Sequence, residues 1–126
     1  MRNFQKLDVW KKAHELTLQI YRLSASFPNH ERYGLTSQLQ RASASIGANL
    51  AEGCGRETDA DYKRFVQMAS GSACEVEYHL ILARDLGLVD VTTYESLAAN
   101  INEIKRMLCG LTNYLDNEIT DRRAPR

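Results

Sequence analysis

"SIGANLAEGCGR", residues 45–56, carries the periodic apolar residues of a helix, Ile46 and Leu50, yet places Gly47, Gly53 and Gly55 among them together with Asn49 and Glu52. A glycine in a helix interior costs about 1 kcal/mol relative to alanine, and a carboxylate beside a core position needs a partner. Close approach of a second helix answers the first difficulty, and a small polar network between the two helices answers the second. The stretch therefore reads as one rod of a helical bundle.

Working outward, the apolar period extends back through Ala42, Leu39 and Leu35 and fades at Gly53 and Gly55, which sets a helix over about 35–54. Upstream, Val9, Trp10, Ala13, Leu16, Ile20, Leu23 and Phe27 recur three or four apart behind Asp8 as N-cap, a helix over about 9–27 that Pro28 and Asn29 end. Downstream, Thr58 with Asp59 and Asp61 opens a third helix over about 59–86, closed by Gly87 as the residue after its end. Thr92 and Glu95 have capping-box spacing, and Leu97, Ile101, Ile104, Leu108, Leu111, Leu115 and Ile119 then step as a bundle seam over about 93–119. No segment alternates with the period of a strand. Short connections make sequential helices antiparallel, so the chain 1–126 is expected to form a single all-α domain, an up-down-up-down four-helix bundle with a frayed tail over 120–126.

If helices two and three fold back around residues 55–58, residues whose numbers sum to about 113 lie level. Gly47, Gly53, Gly71 and Ser72 then serve close packing, with Ala44, Ala48 and Ala51 facing the run from Ala69 to Ala73. Arg41, Asn49, Glu52, Arg64 and Glu75 are the expected polar network, with an Arg41–Glu75 pair fixing register and Glu52 meeting Arg56 or Arg64. At the start of helix one, Phe4, Leu7, Val9 and Trp10 form an apolar cluster that reads either as a lid on the core or as a subunit contact.

Composition narrows the function. Sixteen basic and sixteen acidic side chains cancel, which argues against a whole-molecule polyanion binder. The charge is uneven, however: residues 1–28 carry +3 and residues 58–87 carry −2. No run approaches a membrane span, and the charged N-terminus is unlike a secretory signal, so the expected location is the cytoplasm and no membrane partner is expected. Three cysteines, Cys54, Cys74 and Cys109, without a C-x-x-C pair read as reduced thiols. A di-iron bundle needs Glu-x-x-His motifs, and none occurs. Glu75 and His79 could share a metal with Glu52, but a hydrogen-bonded surface pair is the simpler reading, and His14 and His30 lack companions at ligand spacing. Cys54 with His79 offers no third catalytic group, and Gly53-Cys54-Gly55 has the wrong continuation for a phosphate loop. No catalytic residue, metal ligand or cofactor is expected.

The pattern from Phe4 to Glu75, above all ANLAEGCGR at 48–56 followed by Gly71-Ser72, resembles the family of small four-helix-bundle proteins encoded within 23S ribosomal RNA intervening sequences of some bacteria. The resemblance implies a bundle that assembles into a ring-like homopentamer. It extends to the accessory proteins of diversity-generating retroelements, which share the pentameric bundle and are implicated in binding RNA and a reverse transcriptase. Members usually carry proline where this chain has Gly47, and the retroelement proteins are strongly basic where this chain is neutral. The expected function is that of a non-enzymatic, homo-oligomeric scaffold or interaction module. The alternative is an RNA-binding accessory factor using Lys6, Lys11, Lys12, Arg22, Arg56, Lys63 and Arg64.

Overall fold

A computed structural model describes residues 2–32 and 34–123. The chain forms four helices, α1 (Asp8–Ser24), α2 (Leu35–Cys54), α3 (Asp59–Asp85) and α4 (Val91–Arg123), with a short 3-10 turn before α1 at Phe4–Lys6 and another before α2 at Asn29–Glu31, and no strand among the described residues. Each helix packs on its neighbours in chain order and α4 returns to α1, while the backbones of the diagonal pairs, α1 with α3 and α2 with α4, stay apart across the core. The arrangement is thus a square of antiparallel rods. The α2–α3 and α3–α4 seams are the most extensive and the α1–α4 seam the slimmest.

One apolar core runs through all four helices, built on Leu16 and Ile20, Leu39, Ile46 and Leu50, Val66, Val76 and Leu80, and Ile101, Ile104, Leu108 and Leu115. Burying such side chains contributes roughly 1.5–3 kcal/mol each, the main term that holds the rods together. Of the α4 seam, Leu111 and Ile119 are only partly covered.

The ends differ from the sequence reading in instructive ways. α1 stops at Ser24, short of residue 27. The Ser24 hydroxyl donates to the Ile20 carbonyl at 2.7 Å and the Ser26 hydroxyl to that of Leu23 at 2.7 Å, so local bonds satisfy the last carbonyls. Phe27, which precedes a proline and is disfavoured in helical conformation, turns back into the core. Leu7, not Asp8, occupies the N-cap of α1, and Asp8 sits in the first turn, where it favours the helix dipole. The Thr58 hydroxyl accepts from the Asp61 amide at 3.1 Å and caps α3. At the other end Gly87 has φ +76°, with Leu88 N–H bonded to Ala83 C=O at 2.9 Å and Gly87 N–H to Arg84 C=O at 3.0 Å, the paired bonds of a Schellman stop.

α4 begins at Val91, two residues before the expected start at 93, and runs past the expected end at 119 to Arg123, so residues 120–123 are helical where a frayed tail is expected; 124–126 lie outside the described residues. Asp90 is the cap: its carboxylate accepts from the Thr93 amide at 2.7 Å and from the Thr93 hydroxyl at 3.2 Å. Those bonds, the backbone one foremost, hold the Asp90 carboxyl below its usual 3.8. A folded-state pKa below the unfolded one means the cap's contribution is present above the unfolded value and lost as pH falls through the folded one. An NMR titration is expected to give Asp90 a midpoint under 3.8, with the Thr93 amide shifting in step; a midpoint at or above that value would remove the cap.

Candidate interaction surfaces

The seam between α2 and α3 is closed by hydroxyls rather than by ions. Ser45 and Ser72 share a hydrogen bond at 2.9 Å, and the Asn49 side-chain amide donates to the Ser45 carbonyl at 2.9 Å and to its hydroxyl at 3.1 Å. The contact pair sums to 117 rather than 113. Part of that offset follows from geometry, since side chains lean toward the N-terminus of their own helix, and antiparallel partners therefore meet at larger sums than level backbone positions do. Gly53 stands where the rods approach most closely: a Cβ there would lie 2.9 Å from Phe65 Cβ and 2.9 Å from Tyr62 Cδ1.

The expected Arg41–Glu75 lock is absent. Arg41 is exposed and forms no ion pair among the described residues, and Glu75, also exposed, lies 3.5 Å from His79 Nε2. Drawing both charges into the seam would desolvate them at a cost of several kcal/mol each, which two serines avoid. Glu52 pairs with Arg56 at 2.7 Å and Arg64 with Asp61 at 3.0 Å, both on the surface, where such bridges contribute little. Gly71 is a second correction: it faces solvent with no atom within 4 Å of a built Cβ, and so does not serve close packing. Ala44 and Ala48 are likewise exposed rather than packed in the seam. Gly47 faces α1, its built Cβ 3.3 Å from Trp10 Nε1.

Around Gly47 the N-terminal cluster closes on the molecule itself. Val9 is buried, while Phe4, Leu7 and Trp10 are half-buried against the core. The Trp10 ring meets Phe4 edge-on at 5.1 Å and stacks on His14 at 5.0 Å. These apolar surfaces cover their own bundle, as a lid.

At the same end a junction that sequence reasoning missed ties three segments to one carboxylate. The Arg2 guanidinium pairs with Asp59, also donates to the Arg56 carbonyl at 3.0 Å, and lies over the Tyr62 ring at 4.3 Å. Arg122 reaches Asp59 from the end of α4 at 3.3 Å. Burial first, and then the hydrogen bond with Cys54 at 3.6 Å that favours the neutral hydroxyl, push Tyr62 far above its usual pKa of 10.0. Nothing in the local sequence near Asp59 points to partners 57 and 63 residues away.

The cations sort into two groups. Arg56 and Arg64 flank the Phe65 ring at 4.6 Å each and are also paired with acids, and Lys63 is paired with Asp116. Lys6, Lys11, Lys12 and Arg22 are exposed and form no ion pair among the described residues. Lys12 edges a groove of about 250 Å³ between α1 and α4, floored by Leu16 and Ile104 and bridged by Asn100 donating to Gln19 at 3.3 Å. Among the described residues no three His, Cys, Asp or Glu side chains gather as a metal site, and no helix is long and apolar enough to cross a membrane.

Among the described residues seven large apolar side chains are exposed: Leu18 and Tyr21 on α1, 41% and 45%; Met68 and Tyr78 on α3, 45% and 59%; Leu86 just after it, 55%; and Val91 and Tyr114 on α4, 62% and 58%. The signal for them lay in the sequence as a phase. Leu18 falls outside the 9-13-16-20 stripe, and Met68 and Tyr78 fall outside the 62-66-69-73-76-80 stripe.

Residues 5–110 match the family described as 23S rRNA-intervening sequence protein. Among solved structures, a protein of unknown function from the S23 ribosomal protein family of Bacteroides thetaiotaomicron is similar, with 28% identity and a TM-score of 0.77 over 82% of this chain and 97% of its own. No curated protein matches.

Proposed function

This chain belongs to the 23S rRNA-intervening sequence protein family, and we propose that it is a non-enzymatic bundle whose work is to associate with further copies of itself and present a surface as a cytoplasmic scaffold or interaction module. The observation that carries this reading is the exposure of Leu18, Tyr21, Met68, Tyr78 and Tyr114 on a bundle whose core is already filled. Large apolar side chains exposed on three different helices favour burial against other subunits.

Static light scattering on the purified chain tests it directly. The expected mass is a multiple of the monomer's, with five copies the stoichiometry that the sequence resemblance implies. A monomer at micromolar concentration would overturn the reading.

A second reading has its own support in four exposed cations on and just before α1 that form no ion pair among the described residues. An RNA-binding accessory role, beside ribosomal RNA or a reverse transcriptase, would use Lys6, Lys11, Lys12 and Arg22. Arg56, Lys63 and Arg64 would contribute less, since acids already neutralise them. Phosphate contacts make log affinity fall steeply with log salt. Binding of structured RNA with that slope would establish the role, and no binding at low ionic strength would remove it.

A further inference from the structure

We propose that the hollow between α1 and α4 is a binding site for a free α-amino acid with a carboxamide side chain. Its carboxylate meets Lys12, its ammonium meets Glu15, and its amide meets Gln19 and Asn100. The site lies within one molecule, so it needs no second copy and stands apart from self-association.

The α1–α4 seam is the slimmest of the four, and there the rods leave about 250 Å³ open above Leu16 and Ile104. That falls just below the roughly 300–1,000 Å³ of drug-sized sites, which suits a smaller molecule. Four polar side chains converge on the space: one cation, one anion and two amides. The floor is already sealed, since Leu16 and Ile104 are each 1% exposed, so recognition falls to the polar groups rather than to apolar burial. The other hollows lack this combination. The one by Arg2 and Arg56 is lined by arginines already engaged with Asp59 and Glu52, and the next one along the seam, between Leu23 and Thr92, has no charged side chain in its lining.

Charge selects the ligand. Lys12 and Glu15 stand about 4.5 Å apart along the helix, with the lysine first, the less favourable order for a pair within one helix. Among the described residues neither forms an ion pair, whether with the other or with Asp8 and Lys11 about a turn away. On α4 the next acid after Asn100, Glu103, is taken by Arg106. A zwitterion supplies what each bank lacks, and it carries its two charges side by side as the helix does. Beyond the charges, Asn100 donates to Gln19 at 3.3 Å, which leaves the Asn100 carbonyl oxygen and further N–H groups of both amides unused. A carboxamide offers the matching donor and acceptor. A carboxylate in its place offers no donor, and an aliphatic side chain offers neither.

Titration of the isotope-labelled protein with L-glutamine, followed by NMR on the side-chain amides of Gln19 and Asn100, tests the site. Saturable shifts of both are expected. Glutaramic acid, which lacks the ammonium, and γ-aminobutyramide, which lacks the carboxylate, are expected to bind at least tenfold more weakly, and so is L-leucine. Lys12→Gln and Glu15→Gln are each expected to weaken glutamine at least tenfold; both positions are exposed, and circular dichroism verifies that the fold is kept. The roles separate by crossing the two sets. Lys12→Gln should leave γ-aminobutyramide binding unchanged, and Glu15→Gln should leave glutaramic acid binding unchanged. No saturable shift with glutamine overturns the proposal, as does equal binding of all four compounds. Glutamine binding that neither substitution alters removes the assignment of the two charges. None of these results bears on self-association, which light scattering reads separately.

Discussion

Gly53→Val is expected to lower the stability of the bundle by about 3 kcal/mol, with a fall in the thermal midpoint of roughly 10 °C. The added Cβ would sit 2.9 Å from Phe65 Cβ, an atom one bond from the backbone that no rotamer change can move, and 2.9 Å from Tyr62 Cδ1. Neither ring can swing aside. Phe65 lies between the guanidinium groups of Arg56 and Arg64, and Tyr62 lies under Arg2 with the Cys54 thiol on its hydroxyl. Better helix propensity returns less than about 1 kcal/mol, because Gly53 is one residue from the end of α2. Relief must come from separating α2 and α3, which strips contacts from Leu50 and Val66 below. Gly71→Ala is the control: with open space around it, the same class of change should gain roughly 0.5–1 kcal/mol. Urea unfolding of both variants checks the contrast. Wild-type stability for Gly53→Val would mean that the two rods do not close on each other there.

The contrast between Gly53 and Gly71 also marks where the sequence stops being legible. Apolar period placed four helices, because a core stripe repeats in the chain itself. What a small residue does depends on which way it points, and that follows from helix phase. Gly53 lies on the side of α2 turned to α3, whereas Gly71 is out of phase with the Ala69, Ala73 and Val76 stripe. The same phase puts Arg41 and Glu75 outside, so their opposite signs and similar level carry no contact. Hydroxyls took the seam because a serine pair satisfies itself with one hydrogen bond and leaves no charge to desolvate. Cap positions were ambiguous for another reason. The stretch from Asp90 to Glu95 offers two overlapping acceptors, Asp90 and Thr92, each three residues from a suitable partner, and local pattern does not choose between them. The Arg2–Asp59–Arg122 junction joins residues from three distant parts of the chain, which periodicity cannot bring together.

Trp10→Ala is expected to cost about 2–3 kcal/mol in unfolding free energy and to leave the number of copies per assembly unchanged. Complete burial of a tryptophan makes its truncation worth about 3–5 kcal/mol, and the half-buried ring here sets the estimate lower. Three neighbours depend on that ring. Phe4 loses the face it meets edge-on, His14 its stacking partner, and Gly47 the indole edge that covers its backbone. The N-terminal turn would stay anchored at its far end through Arg2 and Asp59, so the expected damage is a loosened lid rather than a lost segment. The chain's own core takes up much of the apolar area of Phe4, Leu7 and Val9, whereas Leu18 and Tyr21 stay exposed. Chemical denaturation and light scattering on the same sample separate the two roles. A Trp10→Ala protein that falls apart into monomers while unfolding at the wild-type denaturant concentration would transfer this cluster from the lid of one bundle to the boundary between two.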